Sequence, residues 1–407
     1  MTEKLYYEDA YCKEFEAVVL SCREGKKGYE IVLDRTAFYP EGGGQPGDRG
    51  WMYEIKVESC CEKEDDNCQK GDTTDGGNDI RILDTHEKDG EIIHYADQPL
   101  LPGTRITGQI DWDFRFDLMQ NHSGEHIVSG LIHEAFGYDN VGFHMGKDVL
   151  TIDLSGELTR EQMDLIEERA NTVVWANVPT DIVCYTEEEA KAVEYRSKKE
   201  LHGTVRVVTF PGADVCACCG THVKQTGEIG LIKLLSSERF KGGVRLEMLC
   251  GRRAYEYVSK ISRQNHRISV ALSVKPLQTA EAVLRLKEAE QKTSLRAGRM
   301  EAELFAAKAK QLADAGDVLL FEEQLSSDSV RRLASAVMEN CGGRCVVCSG
   351  DDQNGYKYAI GQTGGDLREL VRELNRCLNG RGGGKPFFVQ GSVMASRSEI
   401  EDFFDAR

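Results

Sequence analysis

The chain has 407 residues, a formal net charge of −17 and 40% hydrophobic residues. That length exceeds a single compact core and fits two to four domains, and the composition is that of a globular rather than a fibrous or disordered chain. The acidic balance gives no sign of bulk attraction to nucleic acid, although local basic patches act independently of the sum. MTEKLYYEDAYCKEF has no apolar signal core and no run of eighteen apolar residues follows, so neither secretion nor a membrane span is expected. Fourteen cysteines without a leader imply reduced thiols in a cytoplasmic setting, some of them available to a metal.

The first hundred residues are expected to be β. FEAVVLSC (15–22), YEIVLDRTAF (29–38), WMYEIKVESC (51–60), DIRILDT (79–85) and EIIHYA (91–96) are short β-branched or aromatic runs. Turn clusters such as PEGGGQPGDRG separate them, the pattern of a small barrel. The acidic stretch 60–79 has almost nothing to bury and is expected as a solvated loop, with Cys60, Cys61 and Cys68 partnerless in it.

From 114 to about 255 helix and strand alternate. Residues 118–136 carry helical spacing with Ile127, Leu131 and Phe136 on a core face, and residues 159–175 form an amphipathic helix behind a Thr cap. Strands are expected in TIDLSG, TDIVCYT, TVRVVTF, GEIGLIKLLSSERF and VRLEMLCG. Residues 277–316 are rich in Ala, Glu, Lys and Leu, the composition of a long exposed helix or helical hairpin. There Leu277, Leu284, Phe305 and Leu312 share a heptad phase that Gln291 and Gly298 interrupt, open to a connector or to a homodimer seam. The remainder reads as an α/β unit, with Cys341, Cys345 and Cys348 as core cysteines. The expected architecture is multidomain α+β: a barrel at 1–110, an α+β domain at 111–260, a helical linker at 261–316 and a C-terminal α/β domain at 317–407.

NHSGEH (121–126) places His122 and His126 four apart, on one face of a helix. The intervening Ser-Gly-Glu is not the HExxH arrangement, so a protease general base is lacking. CCGTH (218–222) offers Cys218 and His222 at the same interval. Neither half satisfies zinc alone, whereas together they make a Cys-His₃ set. Cys216 and Cys219 flank that loop as substitutes. His133 is almost two turns beyond His126 and too distant, and His144 is a spare.

Taken in order, TAFYPEGGGQPGDRG, NHSGEH and CCGTH resemble the editing domain of alanyl-tRNA synthetases and the freestanding trans-editing AlaX proteins. The tail NGRGGGKPFFVQGS is similar to the DHH-associated domain that ends the synthetase. No adenylation domain precedes these motifs, so the long form of AlaX is the expected match. The family pattern is broken in two places: in the loop at Cys219, and between the histidines, where relatives often carry Thr and Ala and this chain has Ser123, Gly124 and Glu125. Cys219 stands where the family loop has its first glycine, and Glu125 adds a carboxylate between the histidines, either supporting an imidazole or facing solvent.

The resemblance implies a deacylase that hydrolyses serine, and in some members glycine, from mischarged alanine tRNA, with zinc held by His122, His126, Cys218 and His222. It implies that Thr36 reads the serine hydroxyl, that Gln45 lies beside the substrate, and that Gly42, Gly43 and Gly44 let the backbone approach it. GRGGGKP fails the phosphate-loop pattern at Asn379 and Pro386. It is expected as a backbone nest between helix and strand, with Arg381 and Lys385 on RNA phosphate. Arg115 is expected near the acceptor end. Two rivals remain at this point: a zinc-stabilised module that binds tRNA or protein without hydrolysis, and a deacylase of another aminoacyl-tRNA.

Overall fold

The computed structural model describes residues 2–26, 28–55, 79–197 and 203–406. The stretch containing Cys60, Cys61 and Cys68 lies outside the described residues. The chain divides into two compact units, Met1–Gln264 and Asn265–Arg407. Among the described residues no helix is long and apolar enough to cross a membrane.

The first unit opens with a closed six-stranded barrel. Its strands are β1 (Glu14–Gly25), β2 (Gly28–Leu33), β3 (Gly50–Glu54), β4 (Ile80–Lys88), β5 (Glu91–Ala96) and β6 (Arg105–Ile110), in the order β1-β2-β5-β4-β3-β6. Alternation sends Phe15, Ala17 and Val19 of β1, Ile80 and Ile82 of β4, and Ile106 and Ile110 of β6 into one apolar interior. β6 closes the barrel against β1 and β3 and was not among the expected strands. β2 ends at Leu33 because the Asp34 carboxylate accepts from the Val18 and Arg35 amides and turns the chain.

Helix α1 (Trp112–Phe136) follows, starting six residues earlier than its hydrophobic spacing indicates. Asp111 caps it by accepting from the Phe114 amide at 3.2 Å. Every residue from Asn121 to Ile132 is buried, so the helix is enclosed on all sides rather than amphipathic. A four-stranded sheet covers it: β7 (Asn140–Met145), β8 (Leu150–Leu154), and the later β12 (Ile232–Phe240) and β13 (Gly243–Cys250), in the order β12-β13-β8-β7. A Cβ on Gly124 would lie 2.2 Å from the Cys250 sulfur, so only glycine permits this approach of α1 to β13. Helix α2 (Arg160–Ala176) packs beside α1, opened by a capping box of Thr159 and Gln162. A three-stranded sheet of β9 (Asp181–Tyr185), β10 (Val205–Phe210) and β11 (Asp214–Ala217) leads into the CCGTH loop. Helix α3 (Gly251–Ala271) then runs across the division between the units.

In the second unit α4 (Thr279–Gln311) is one continuous helix, not a hairpin. The heptad splits along the chain: Leu277 and Leu284 are 98% and 62% exposed, whereas Phe305 is 4% exposed and Leu312 packs beside it against helix α5 (Ser327–Met338). The sheet comprises β14 (Gly316–Glu322), β15 (Gly342–Asp351), β16 (Gly355–Gln362), β17 (Gly380–Lys385) and β18 (Phe388–Val393), in the order β14-β15-β16-β18-β17, with helices α6 (Arg368–Cys377) and α7 (Arg397–Asp405). Cys341, Cys345 and Cys348 are buried in it, as expected. GRGGGK is a strand, not a loop nest, and this corrects the sequence expectation. It pairs antiparallel with β18 from Gly380↔Val393 to Lys385↔Phe388. Glycine has little strand preference, which hides the strand in the sequence. Here it fits because a Cβ on Gly384 would meet the Phe388 carbonyl at 2.3 Å.

Candidate metal centre and adjoining cavity

Four side chains from two remote segments converge in the first unit. His122 and His126 lie one turn apart on α1, and their ring centres are 5.3 Å apart. The CCGTH loop brings the His222 ring to 4.5 and 4.9 Å from them. The Cys218 sulfur is 3.5 Å from His122 Nε2. One ligand atom from each of the four lies within 4.8 Å of all the others.

Each imidazole is held from behind through Nδ1. His122 donates to Gln45 Oε1 at 2.9 Å, His126 to Asp214 Oδ2 at 2.9 Å, and His222 Nδ1 lies 3.4 Å from Ser123 Oγ. Such outer partners fix tautomer and ring orientation at metal sites. They leave the opposite nitrogens and the sulfur facing one another. His222 Nε2 is buried without a hydrogen-bond partner, which is unfavourable unless a ligand occupies it. Burial pushes the Cys218 thiol up, but the three surrounding imidazoles outweigh it and bring the thiol well below its usual range. Burial pulls His222 down to about 3. Burial also opposes a charged His126, yet the Cys218 thiolate and Asp214 raise it well above the ordinary value. A thiolate with three imidazoles is a donor set suited to a borderline-soft tetrahedral cation, and the orphaned nitrogen fits one.

Gln45 belongs to this framework rather than to the cavity wall. It is fully buried, accepts from the Thr221 amide at 3.2 Å as well as from His122, and donates to Thr221 Oγ1 at 2.8 Å. Asp214 likewise serves two partners, taking Arg196 Nε at 2.8 Å and Nη2 at 2.9 Å. Asp214 and Cys216 were not singled out as a pair, although alternation along β11 puts positions 214, 216 and 218 on one side. Cys216 joins Asp214 and His126 in a second potential ligand group, whereas Cys219 is exposed. His133 pairs with Asp139 at 3.1 Å, and His144 is exposed on β7.

A cavity of about 490 Å³ adjoins the four side chains. His122, His126, Cys218, Phe143, Gly43 and Gly44 contribute to its wall. The Phe143 ring stacks on His122 at 5.3 Å and 19°. Gly44 has φ of +88°, and a Cβ there would sit 2.5 Å from the Phe143 ring, so a side chain is excluded twice over. Gly42 instead closes the turn, exchanging backbone hydrogen bonds with Gln45 at 3.1 and 3.0 Å.

Thr36 is buried in the barrel, its hydroxyl 2.8 Å from His94 Nε2. His94 Nδ1 lies 3.0 Å from the Ile31 carbonyl, which only accepts, so the ring proton is on Nδ1 and Thr36 donates to Nε2. Burial holds His94 neutral, pulling it down to about 4. Thr36 Oγ1 also accepts from the Phe38 amide at 3.1 Å.

The expectation for Arg115 is corrected. It is wholly buried within α1, paired with an equally buried Asp48, and donates to the Ala10 and Ala37 carbonyls at 2.8 and 2.6 Å. Its charge and donors are consumed in joining helix to barrel, so it is no surface contact for RNA. Arg381 and Lys385 are exposed on β17 in the second unit.

Residues 205–247 match the family described as "Threonyl and Alanyl tRNA synthetase second additional domain", and residues 314–406 match the DHHA1 domain. The chain is 30% identical to the alanyl-tRNA editing protein AlaX-L of Pyrococcus horikoshii, over 99% of this chain and 97% of that protein. It is 28% identical to the alanyl-tRNA editing protein Aarsd1-A of Xenopus laevis, over 97% and 95% of the two chains. It is also 32% identical to the alanine–tRNA ligase of Halorubrum lacusprofundi, covering all of this chain but 43% of the ligase.

Proposed function

The chain belongs to the alanyl-tRNA editing proteins, and from that membership we propose that it is a trans-editing deacylase. It hydrolyses the ester joining serine or glycine to alanine tRNA and releases both. The observation that carries this reading is the convergence of His122, His126, Cys218 and His222 beside a cavity large enough for an aminoacyl ester. The need for such an enzyme follows from pocket energetics. An alanine site rejects an added hydroxyl or a lost methyl only weakly, so a second site must read the difference.

The four converging residues would hold zinc, which supplies Lewis-acid polarisation of a carbonyl or of a water when bound. The chain's own groups do the rest. Gln45, Asp214 and Ser123 keep the imidazoles oriented. Gly43 and Gly44 let the backbone close on the substrate, and Phe143 covers one side and excludes water. Thr36 donates its hydrogen bond to His94 and keeps an oxygen lone pair, the partner that the resemblance implies for a serine hydroxyl that must donate, although it is buried in the barrel and outside the residues lining the cavity. Alanine makes no such bond, and the net worth of one hydrogen bond is about 0.5–1.5 kcal/mol.

Arg381 and Lys385, four residues apart on one face of an edge strand, supply phosphate contacts to the tRNA. A second copy of the chain is the partner for α4, where Leu284, Leu295 and Leu304 stand exposed.

The decisive assay follows hydrolysis of seryl-, glycyl- and alanyl-tRNA(Ala) with and without chelator, alongside His126→Ala. Seryl-tRNA should be cleaved in preference to alanyl-tRNA, and the variant should lose bound zinc and activity together. Full activity in metal-free protein would refute the metal-dependent reading.

A further inference from the structure

We propose that Glu125 is the anchor for the free α-ammonium group of the aminoacyl ester, so that the site takes aminoacyl esters and rejects N-blocked ones. The proposal rests on the deacylase reading and adds a residue and a substrate class to it.

Glu125 lies between the two histidines on α1 and contributes to the same cavity wall as His122, His126 and Phe143. It is 3% exposed. One carboxylate oxygen is fully engaged: Oε1 accepts from Ser129 Oγ at 2.6 Å and from Asn140 Nδ2, and Asn140 also donates to Ser129 at 3.0 Å. These neutral donors pin the group. Oε2 has no hydrogen-bond partner among the described residues.

The buried acids make the comparison. Among the described residues these are Asp48, Glu125 and Asp214. Asp48 is paired with Arg115, and Asp214 with Arg196 and His126. Glu125 forms no ion pair among the described residues, and Arg196 acts on it only through space. The Arg196 guanidinium on the cavity wall is turned to Asp214 through two nitrogens. A carboxylate withdrawn from water is strongly unfavourable unless a cation meets it. The cavity is the open side of this group, so the matching cation is to come from the ligand. An aminoacyl ester carries an ammonium on the carbon next to its carbonyl. Holding that ammonium on Oε2 places the carbonyl toward His122 and His126, which lie three residues before Glu125 and one after it on the helix and line the same cavity. An N-acylated ester has no such charge and would leave Glu125 buried and unmatched.

The test compares seryl-tRNA(Ala) with N-acetylseryl-tRNA(Ala) on the full chain and on Glu125→Gln. Glutamine keeps an oxygen for Ser129 and Asn140, removes the charge and puts a neutral amide NH2 in place of the Oε2 acceptor. The unmodified protein should cleave seryl-tRNA faster than its acetylated form by roughly 10- to 150-fold, the range for a hydrogen bond to a charged group. Glu125→Gln should lose a similar factor in kcat/KM on seryl-tRNA, leave N-acetylseryl-tRNA unaffected, and retain zinc stoichiometry and melting temperature. Equal loss on both substrates would mark Glu125 as structural and overturn the anchor. So would an active Glu125→Gln that still discriminates against the acetyl group. An unmodified protein inert toward both substrates would instead bring down the deacylase reading, and the anchor with it.

Discussion

Gln45→Met separates two roles for one residue. By family resemblance Gln45 stands beside the substrate, whereas the structure puts it behind His122. Methionine keeps the volume and removes the amide. That leaves the His122 Nδ1–H and the Thr221 amide N–H, which Gln45 Oε1 accepts at 2.9 and 3.2 Å, without an acceptor in a fully buried setting. Each orphaned donor costs about 1–3 kcal/mol, part of which falls on the metal-bound state because His122 loses its orientation. Loss of such an outer partner weakens metal binding by about 10- to 100-fold, or about 1.4–2.8 kcal/mol. Competition for zinc against a chromophoric chelator measures this directly, and steady-state deacylation at saturating zinc gives KM separately. The expected result is a raised zinc Kd with KM for seryl-tRNA little changed. An unchanged zinc Kd with a raised KM would refute the placement of Gln45 behind the metal and return it to the substrate.

Three further outcomes follow from buried groups. Arg115→Met strands the Asp48 carboxylate and should destabilise the first unit by about 3–5 kcal/mol, lowering its melting temperature by roughly 6–20 °C for a unit of this size. A normal melting temperature with weakened tRNA binding would restore the RNA role. His94 sets a pH dependence: its folded-state value is depressed from 6.5 to about 4, so the unfolded chain binds the extra proton first. Stability is then complete above pH 6.5 and falls as pH drops toward 4, by about 3 kcal/mol in all; denaturant unfolding across that window checks it, and a flat profile would contradict the neutral buried ring. Thr36→Val should reduce the serine-to-alanine rate ratio roughly tenfold while zinc stays bound, and an unchanged ratio would remove Thr36 from substrate reading.

The sequence revealed those features that local pattern determines. Alternating β-branched runs gave five of the six barrel strands, and the i, i+4 histidines sit on one helix face as their spacing requires. β6 escaped notice because Gly108 breaks its alternation. The strand in GRGGGK escaped because its pairing with β18, rather than its own preference, makes it a strand. At the site, the four converging side chains were legible from two motifs. Their orienting partners were less so: Gln45 and Asp214 act across 77 and 88 residues of chain, a distance no periodicity encodes. Arg115 shows the opposite failure. An arginine near a candidate site reads as a contact for anions, and only the position of Asp48 shows that its charge is already matched.

The wiring of Gln45 has a consequence for synthesis. Its amide meets Thr221 across 176 positions of chain, so the ribosome completes the barrel long before the loop that Gln45 secures. A nascent polypeptide stopped before residue 218 therefore carries the barrel strands and the helix histidines yet lacks two of the four converging side chains. The four side chains can converge only once His222, the last of them in the chain, has emerged and folded back onto the helix made earlier.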